Sequence, residues 1–116
     1  MDAGHDPAGR TKRFALEVIR LYFTLAKGAL GRVIGNQMLR SGTSVGAQYR
    51  EALRARSKAE FISKLSGSLQ ELEETKYWME LVLESGMSSN ERAEPLYEET
   101  KELTAILVTA LKTAKH

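Results

Sequence analysis

Apolar side chains recur at helical spacing along most of this chain. Phe14, Val18, Leu21 and Leu25 follow one another at intervals of three and four residues, which places them on one face of a helix. The sequence has no alternation of Val, Ile and Thr of the kind that is typical of strands, and it contains only two prolines. The pattern predicts an all-α protein.

Capping residues and glycines divide the periodic pattern into four helices. Ser57 followed by Glu60 forms a capping box, in which the serine hydroxyl accepts the N–H of the glutamate and the glutamate reaches back to the serine. Gly86 supplies a left-handed residue at which the third helix ends. We therefore expect helices at about 11–27, 31–55, 58–85 and 90–115.

The start of the fourth helix is less sharply defined. Ser88 and Glu91 form a second capping box, but Pro95 follows soon after, so the helix is either kinked at the proline or begins only at Glu94. The connections between the four helices are short, which favours an antiparallel up-down-up-down bundle.

The N-terminal segment differs in composition from the rest. It contains Gly4, Pro7 and Gly9 and few apolar residues, so we expect a disordered or loosely held tail at 1–10 and a four-helix domain at 11–116.

Small residues cluster within the second predicted helix, where each glycine costs about 1 kcal/mol relative to alanine. Close approach of a neighbouring helix would compensate this cost. A kink or break in the helix is the alternative, and the sequence leaves it open. The cluster consists of Ser41, Gly42, Ser44, Gly46 and Ala47.

Several apolar residues lie outside the inward-facing stripes. Leu16, Ile19 and Phe23 make the first helix apolar on more than one side, which indicates that it is covered by more than its own bundle and favours oligomerisation. Tyr77 and Trp78 point about 100° apart, so at most one of them faces the core fully.

Charge is distributed unevenly along the chain. The 116 residues carry a formal net charge of +2, but residues 1–58 hold 11 Lys and Arg against 4 Asp and Glu, whereas residues 59–116 hold 6 against 11. This asymmetry fits either a basic binding surface or charge pairing between helices and between subunits.

The composition excludes several functional classes. The two histidines are His5 in the predicted tail and His116 at the end, and there is no cysteine, so we expect no catalytic triad, no metal site and no cofactor. Glu71 and Glu74 share a helix face that could hold a hard cation, although a solvated or salt-bridged face is the simpler interpretation. We expect no enzymatic activity.

The same composition bears on location. No apolar run approaches the roughly 20 residues of a membrane helix. The N-terminus lacks the apolar core of a signal peptide, and nothing requires an oxidising compartment. A cytoplasmic protein without a membrane partner is the expectation.

Arginines are concentrated in the second helix and the connection after it. Guanidinium groups in such a row suit phosphate backbones, and Tyr49 is the aromatic residue interleaved with them as a stacking platform. Pairing with glutamates of the third and fourth helices, within or between subunits, is the alternative. The candidate nucleic-acid-binding residues are Arg40, Arg50, Arg54 and Arg56.

Several motifs together cover most of the chain and carry a resemblance to a known family. They are Gln37-x-Leu39-Arg40-Ser41, Ser44-Val45-x-Ala47, Arg50-Glu51-Ala52, Arg54-x-Arg56-Ser57-Lys58-x-Glu60-Phe61, and Glu73-Glu74-Thr75-x-Tyr77-Trp78 leading to Leu83-x-Ser85-Gly86. With these motifs the chain resembles the four-helix-bundle proteins encoded in intervening sequences of bacterial large-subunit ribosomal RNA genes. Relatives of that family include the accessory variability determinant of diversity-generating retroelements.

The resemblance implies a bundle that assembles into a homopentameric ring without enzymatic activity. It also implies association with RNA or DNA and with a reverse-transcriptase-like protein, as for the retroelement relative. Arg40, Arg50, Arg54 and Arg56 all fall within the matching motifs, so the nucleic-acid role carries over to these four positions.

Overall fold

The structure, a computed structural model, contains four helices and describes residues 6–88 and 90–116, among which there is no strand. The helices are α1 at Pro7–Leu25, α2 at Ala29–Leu53, α3 at Lys58–Glu84 and α4 at Asn90–Lys115. Each packs on two neighbours, in the cyclic order α1, α2, α3, α4, and no described Cα atoms of diagonally opposite helices lie within 8 Å of each other. The prediction of an all-α four-helix fold is therefore confirmed.

Helix α1 begins earlier than the sequence pattern predicts. The carboxylate of Asp6 accepts a hydrogen bond from the Ala8 N–H at 3.3 Å, and Pro7 occupies the first helical position, where its missing N–H and fixed φ are favourable. The predicted tail is therefore too long at its C-terminal end, since residues 7–10 are helical. Its first five residues lie outside the part of the chain that the structure describes.

Helix α2 runs through its small residues without a break and begins and ends two residues before its predicted bounds. A Cβ added at Gly42 would lie 2.9 Å from the Val18 side chain, and one at Gly46 would lie 3.1 Å from the Thr11 hydroxyl. The glycines are thus explained by close approach of α1, as expected, and the alternative of a broken helix is wrong.

The predicted helix signals around α3 are confirmed. The Ser57 hydroxyl accepts a hydrogen bond from the Glu60 N–H at 3.0 Å, and Gly86 after the helix has φ of 71°, in the left-handed region. Helix α4 begins at Asn90 and contains Pro95, so a start only at Glu94 is wrong. The second predicted capping box includes Ser89, which lies outside the described residues.

The apolar stripe predicted for the first helix lies in the core of the bundle. The four stripe residues of α1 are buried, as are Leu65, Leu72 and Met79 of α3, and Leu103 and Leu107 of α4. None of the four described helices is long and apolar enough to cross a membrane.

Polar side chains within the core fix the register between α2 and α3. The hydroxyls of Ser41 and Thr75 are hydrogen-bonded at 2.8 Å, and Ser68 donates to the Val45 carbonyl at 2.7 Å. Residue numbers therefore rise along α2 as they fall along α3. No buried side-chain nitrogen or oxygen of the described residues lacks a hydrogen-bond partner, so these groups are accommodated without an unpaired polar atom.

The outer surface carries a number of large apolar side chains. Trp78 packs against the core whereas its neighbour Tyr77 is 53% exposed, which confirms that only one of the pair faces inward.

Phe23 is 69% exposed, and Leu30 and Val33, at the start of α2, are exposed as well. Phe23, Leu30 and Val33 belong to the α1 and α2 segments on either side of the first connection.

Candidate nucleic-acid interface

Arg40 is held by two glutamates of α3. Its guanidinium lies 3.2 Å from a carboxylate oxygen of Glu71 and 2.5 Å from one of Glu74, and the indole N–H of Trp78 donates to the same Glu74 oxygen at 3.0 Å. The hydrogen bonds to Glu74 and Glu71 raise the pKa of Arg40. The i, i+3 glutamate pair thus has an arginine as its partner, which fits the salt-bridged interpretation of these carboxylates.

This cluster gives the bundle a pH-dependent contribution to stability. The hydrogen bond from Arg40, followed by that from Trp78, lowers the pKa of Glu74 below its ordinary value of 4.5. A carboxylate with a depressed folded-state pKa stabilises the fold above its unfolded-state pKa, and this stabilisation is lost as the pH falls through the folded-state value.

We expect the Glu74→Gln variant to be less stable than the parent at neutral pH by about 1 kcal/mol or less, because the pair is partly exposed. The difference should disappear as thermal unfolding is followed to acid pH. Glu73→Gln is the matched control, since Glu73 is exposed and pairs with no described residue. If the difference in stability between Glu74→Gln and the parent stayed constant down to acid pH, it would contradict the lowered pKa of Glu74.

Arg50 lies in a different environment, at a groove between α1 and α2. The groove has a volume of about 220 Å³, and Lys12 of α1 lines it together with Arg50. Its remaining lining residues are small: Thr11, Ala15, Thr43, Gly46 and Ala47. The close helix approach at Gly46 therefore brings two cations, one from each helix, to one shallow groove.

Arg54 and Arg56 extend this cationic region toward the connection between α2 and α3. Arg54 caps the end of α2 one turn beyond Arg50, and Arg56 follows in the connection. Arg50, Arg54 and Arg56 are all exposed, and among the described residues none of them makes an ion pair. Glu51, next to Arg50 in sequence, binds Lys64 of α3 at 2.7 Å instead. We call Arg50, Arg54 and Arg56 the basic surface.

Tyr49, the aromatic residue interleaved with these arginines, offers only part of its ring to this surface. It is half-buried and packs against the apolar core, and burial raises the pKa of its phenol, with a further contribution from the charge of Asp6. The basic surface therefore offers cations without an exposed aromatic ring from the helix that carries them.

A second cleft, between α1 and α4, is larger at about 620 Å³ but its charges are largely matched. Glu17 lies 3.1 Å from Arg20 and 3.6 Å from Arg92, and Arg10 binds Glu99 at 2.7 Å. Because the carboxylates of Glu17 and Glu99 lie among these arginines and would repel an added polyanion, this cleft is a poorer site for one than the basic surface.

The structure thus divides the four candidate arginines into two groups. Arg50 and Arg54 lie one turn apart and continue toward Arg56, while Arg40 faces the α3 glutamates. Lys12, which lines the groove with Arg50, was not identified from the sequence. The sequence feature that could have indicated it is the pair Gly42 and Gly46, which allows α1 to pack closely against this part of α2. In the described ranges, no group of three or more His, Cys, Asp or Glu side chains is placed to hold a metal ion.

The fold and this surface define a small all-α protein with a patch of exposed arginines that pair with no described carboxylate. Comparison with known proteins gives its family: the profile described as 23S rRNA-intervening sequence protein matches residues 8–109, and the chain belongs to that family. No protein of curated function matches it.

A solved structure shares the fold. It is the crystal structure of a protein of unknown function from the S23 ribosomal protein family of Bacteroides thetaiotaomicron. The two are 36% identical, the alignment covers 91% of this chain and 98% of the other, and the TM-score is 0.86.

Proposed function

We propose that this chain is a cytoplasmic, non-enzymatic adaptor without a cofactor, which assembles with itself and binds the backbone of RNA or DNA through the basic surface. The observation that carries the proposal is the exposure of Arg50, Arg54 and Arg56 with no ion pair to any described residue. Arginines in such a cluster bind phosphates bidentately, and their attraction for a polyanion is long-ranged.

Arg40 contributes less directly in this proposal. It is 50% exposed, so one side of the guanidinium remains accessible, but Glu71 and Glu74 already neutralise its charge. The first contacts with a phosphate backbone therefore fall to the basic surface, and Arg40 adds to them only where its glutamates are displaced.

The proposed assembly is a ring of antiparallel up-down-up-down bundles. The opposite residue order of the α2 and α3 contacts supports the antiparallel arrangement. Exposed Phe23, Leu30 and Val33 supply apolar area for a contact between copies. The pentameric number and a reverse-transcriptase-like partner rest on the resemblance to the retroelement accessory determinant.

The proposal is tested by light scattering at low and high salt, with and without a short mixed-sequence RNA. We expect a particle of several times the 12.9 kDa chain mass, five times for a pentamer, that gains mass with RNA at low salt only. An assembly whose mass is indifferent to RNA at both salt concentrations would contradict nucleic-acid binding.

The second candidate function is a structural or protein-interaction module without nucleic-acid binding. The Arg40 cluster favours it, because it shows an arginine of α2 already paired with glutamates of α3. In that case the arginines of the basic surface pair with glutamates of neighbouring subunits, and Arg54→Glu should break the assembly. An Arg54→Glu variant with unchanged mass would count against this function.

A further inference from the structure

We propose that the basic surface binds double-helical nucleic acid in preference to single strands. Lys12, which lines the groove between α1 and α2 together with Arg50, is an added contact. The inference rests on the proposed function and specifies its ligand. It begins from the groove itself, in which cations from two helices face one channel about 220 Å³ in volume.

The two cations are positioned by the packing of the helices. A Cβ at Gly46 would lie 3.1 Å from the Thr11 hydroxyl, so the α1 and α2 backbones are close where Lys12 follows Thr11 and where Arg50 lies one turn beyond Gly46. Small side chains between Lys12 and Arg50 leave room for a phosphate backbone to approach both. Lys12 and Arg50 are both exposed, and neither forms an ion pair with a described carboxylate.

Among the described residues, charge near the groove is predominantly positive but includes the carboxylates of Asp6 and Glu51. Glu51, next to Arg50 in sequence, is already bound to Lys64. Asp6 caps α1 and acts on Tyr49 strongly enough to contribute to its raised pKa. Lys12 and the three arginines of the basic surface outnumber the carboxylates, so the region around the groove has a net positive charge that attracts a polyanion.

The described lining of the groove contains no aromatic ring on which a base could stack, and this favours a duplex over a single strand. Proteins that bind single strands without sequence preference stack bases on exposed aromatic rings, each worth about 1–3 kcal/mol. Tyr49 is half-buried against the core, and no aromatic side chain lines this groove among the described residues. The most exposed ring is Phe23, roughly 16 Å further along α1 from Lys12 at the rise of a helix.

A surface that offers cations and no stacking platform binds phosphates and leaves bases unread. In a duplex the bases are already stacked on one another and both backbones are presented outward, so no stacking is sacrificed on binding. A single strand has twice the axial spacing between charges and gains nothing for its exposed bases. The groove therefore fits the backbone of a duplex better.

The test measures fluorescence anisotropy of three labelled probes at low salt: a 20-base-pair RNA duplex, the DNA duplex of the same sequence, and one RNA strand alone. We expect at least one duplex to bind about tenfold more tightly than the single strand. Lys12→Glu should weaken duplex binding about tenfold and lower the slope of log affinity against log salt by about 1.

The control variant is Lys112→Glu, which makes the same charge change at an exposed lysine of α4 and should alter binding less than twofold. Thermal unfolding confirms that both variants are folded. Equal or tighter binding of the single strand, or equal effects of the two substitutions, would overturn this inference while leaving the proposed function standing. Failure of all three probes to bind the parent protein would overturn both.

Discussion

Reversing Arg50 and Arg54 together to glutamate should lower the affinity for RNA about a hundredfold at low salt. Each reversal removes a phosphate contact and adds a repelling charge, and the two residues lie one turn apart on the exposed end of α2. The slope of log affinity against log salt should fall by about 2, because fewer counterions are released on binding. Fluorescence anisotropy across a salt series measures both quantities.

The control for this variant is the double reversal of Lys112 and Lys115, which changes net charge equally at exposed residues of α4. If overall charge alone governed binding, the two double variants would lose the same affinity. The basic-surface account instead requires a small loss for the α4 variant. Circular dichroism melting checks that the substitutions in the last turn of α2, where negative charge opposes the helix dipole, leave the protein folded.

Gly31→Ala should be the most destabilising small substitution where α1 and α2 meet at the first connection. Gly31 lies in the first turn of α2, and an added Cβ would overlap the backbone carbonyl oxygen of Leu25 at the end of α1. Backbone atoms at a helix end cannot move aside independently, so the connection must rearrange. We expect a loss of about 3 kcal/mol in the free energy of unfolding by urea, at the upper end for overpacking.

Gly67→Ala is the informative comparison. An added Cβ there would meet the Gln48 amide, which is the far end of a flexible side chain and makes no other described hydrogen bond. The amide can rotate away, and replacing glycine inside α3 gains up to about 1 kcal/mol of helix propensity. Gly67→Ala should therefore be as stable as the parent or slightly more so. Equal changes in stability for the two substitutions would contradict this account, because a contact with backbone atoms would then cost no more than a contact with a flexible side chain.

Local signals in the sequence predicted the elements of the fold well. The spacing of Phe14 and Val18, the Ser57 cap and the left-handed Gly86 each act through neighbours within a turn or two, so they can be interpreted without tertiary information. The start of α1 is the exception. Asp6 before Pro7 is a good helix start, but the glycines on either side of this pair favoured a tail.

The candidate site was less predictable because it depends on how helices are paired. Arg40 lies 31 residues before Glu71 in sequence, and nothing local to either residue indicates that they meet. Lys12 joins the groove only because α1 crosses α2 at its glycines. The sequence identified a basic helix, whereas the side of that helix on which each arginine lies follows from the register of α2 against its neighbours.

The central claim is that the exposed arginines of the basic surface bind a nucleic-acid backbone, and the salt dependence of RNA affinity for the unmodified protein tests it most directly. The three arginines of the basic surface by themselves predict a slope of about −2.7 in log affinity for an RNA duplex against log salt, a loss of about fortyfold between 50 and 200 mM. Affinity that is unchanged across this range, or no measurable binding at the lowest salt, would contradict the account and leave a module whose arginines contact other protein subunits.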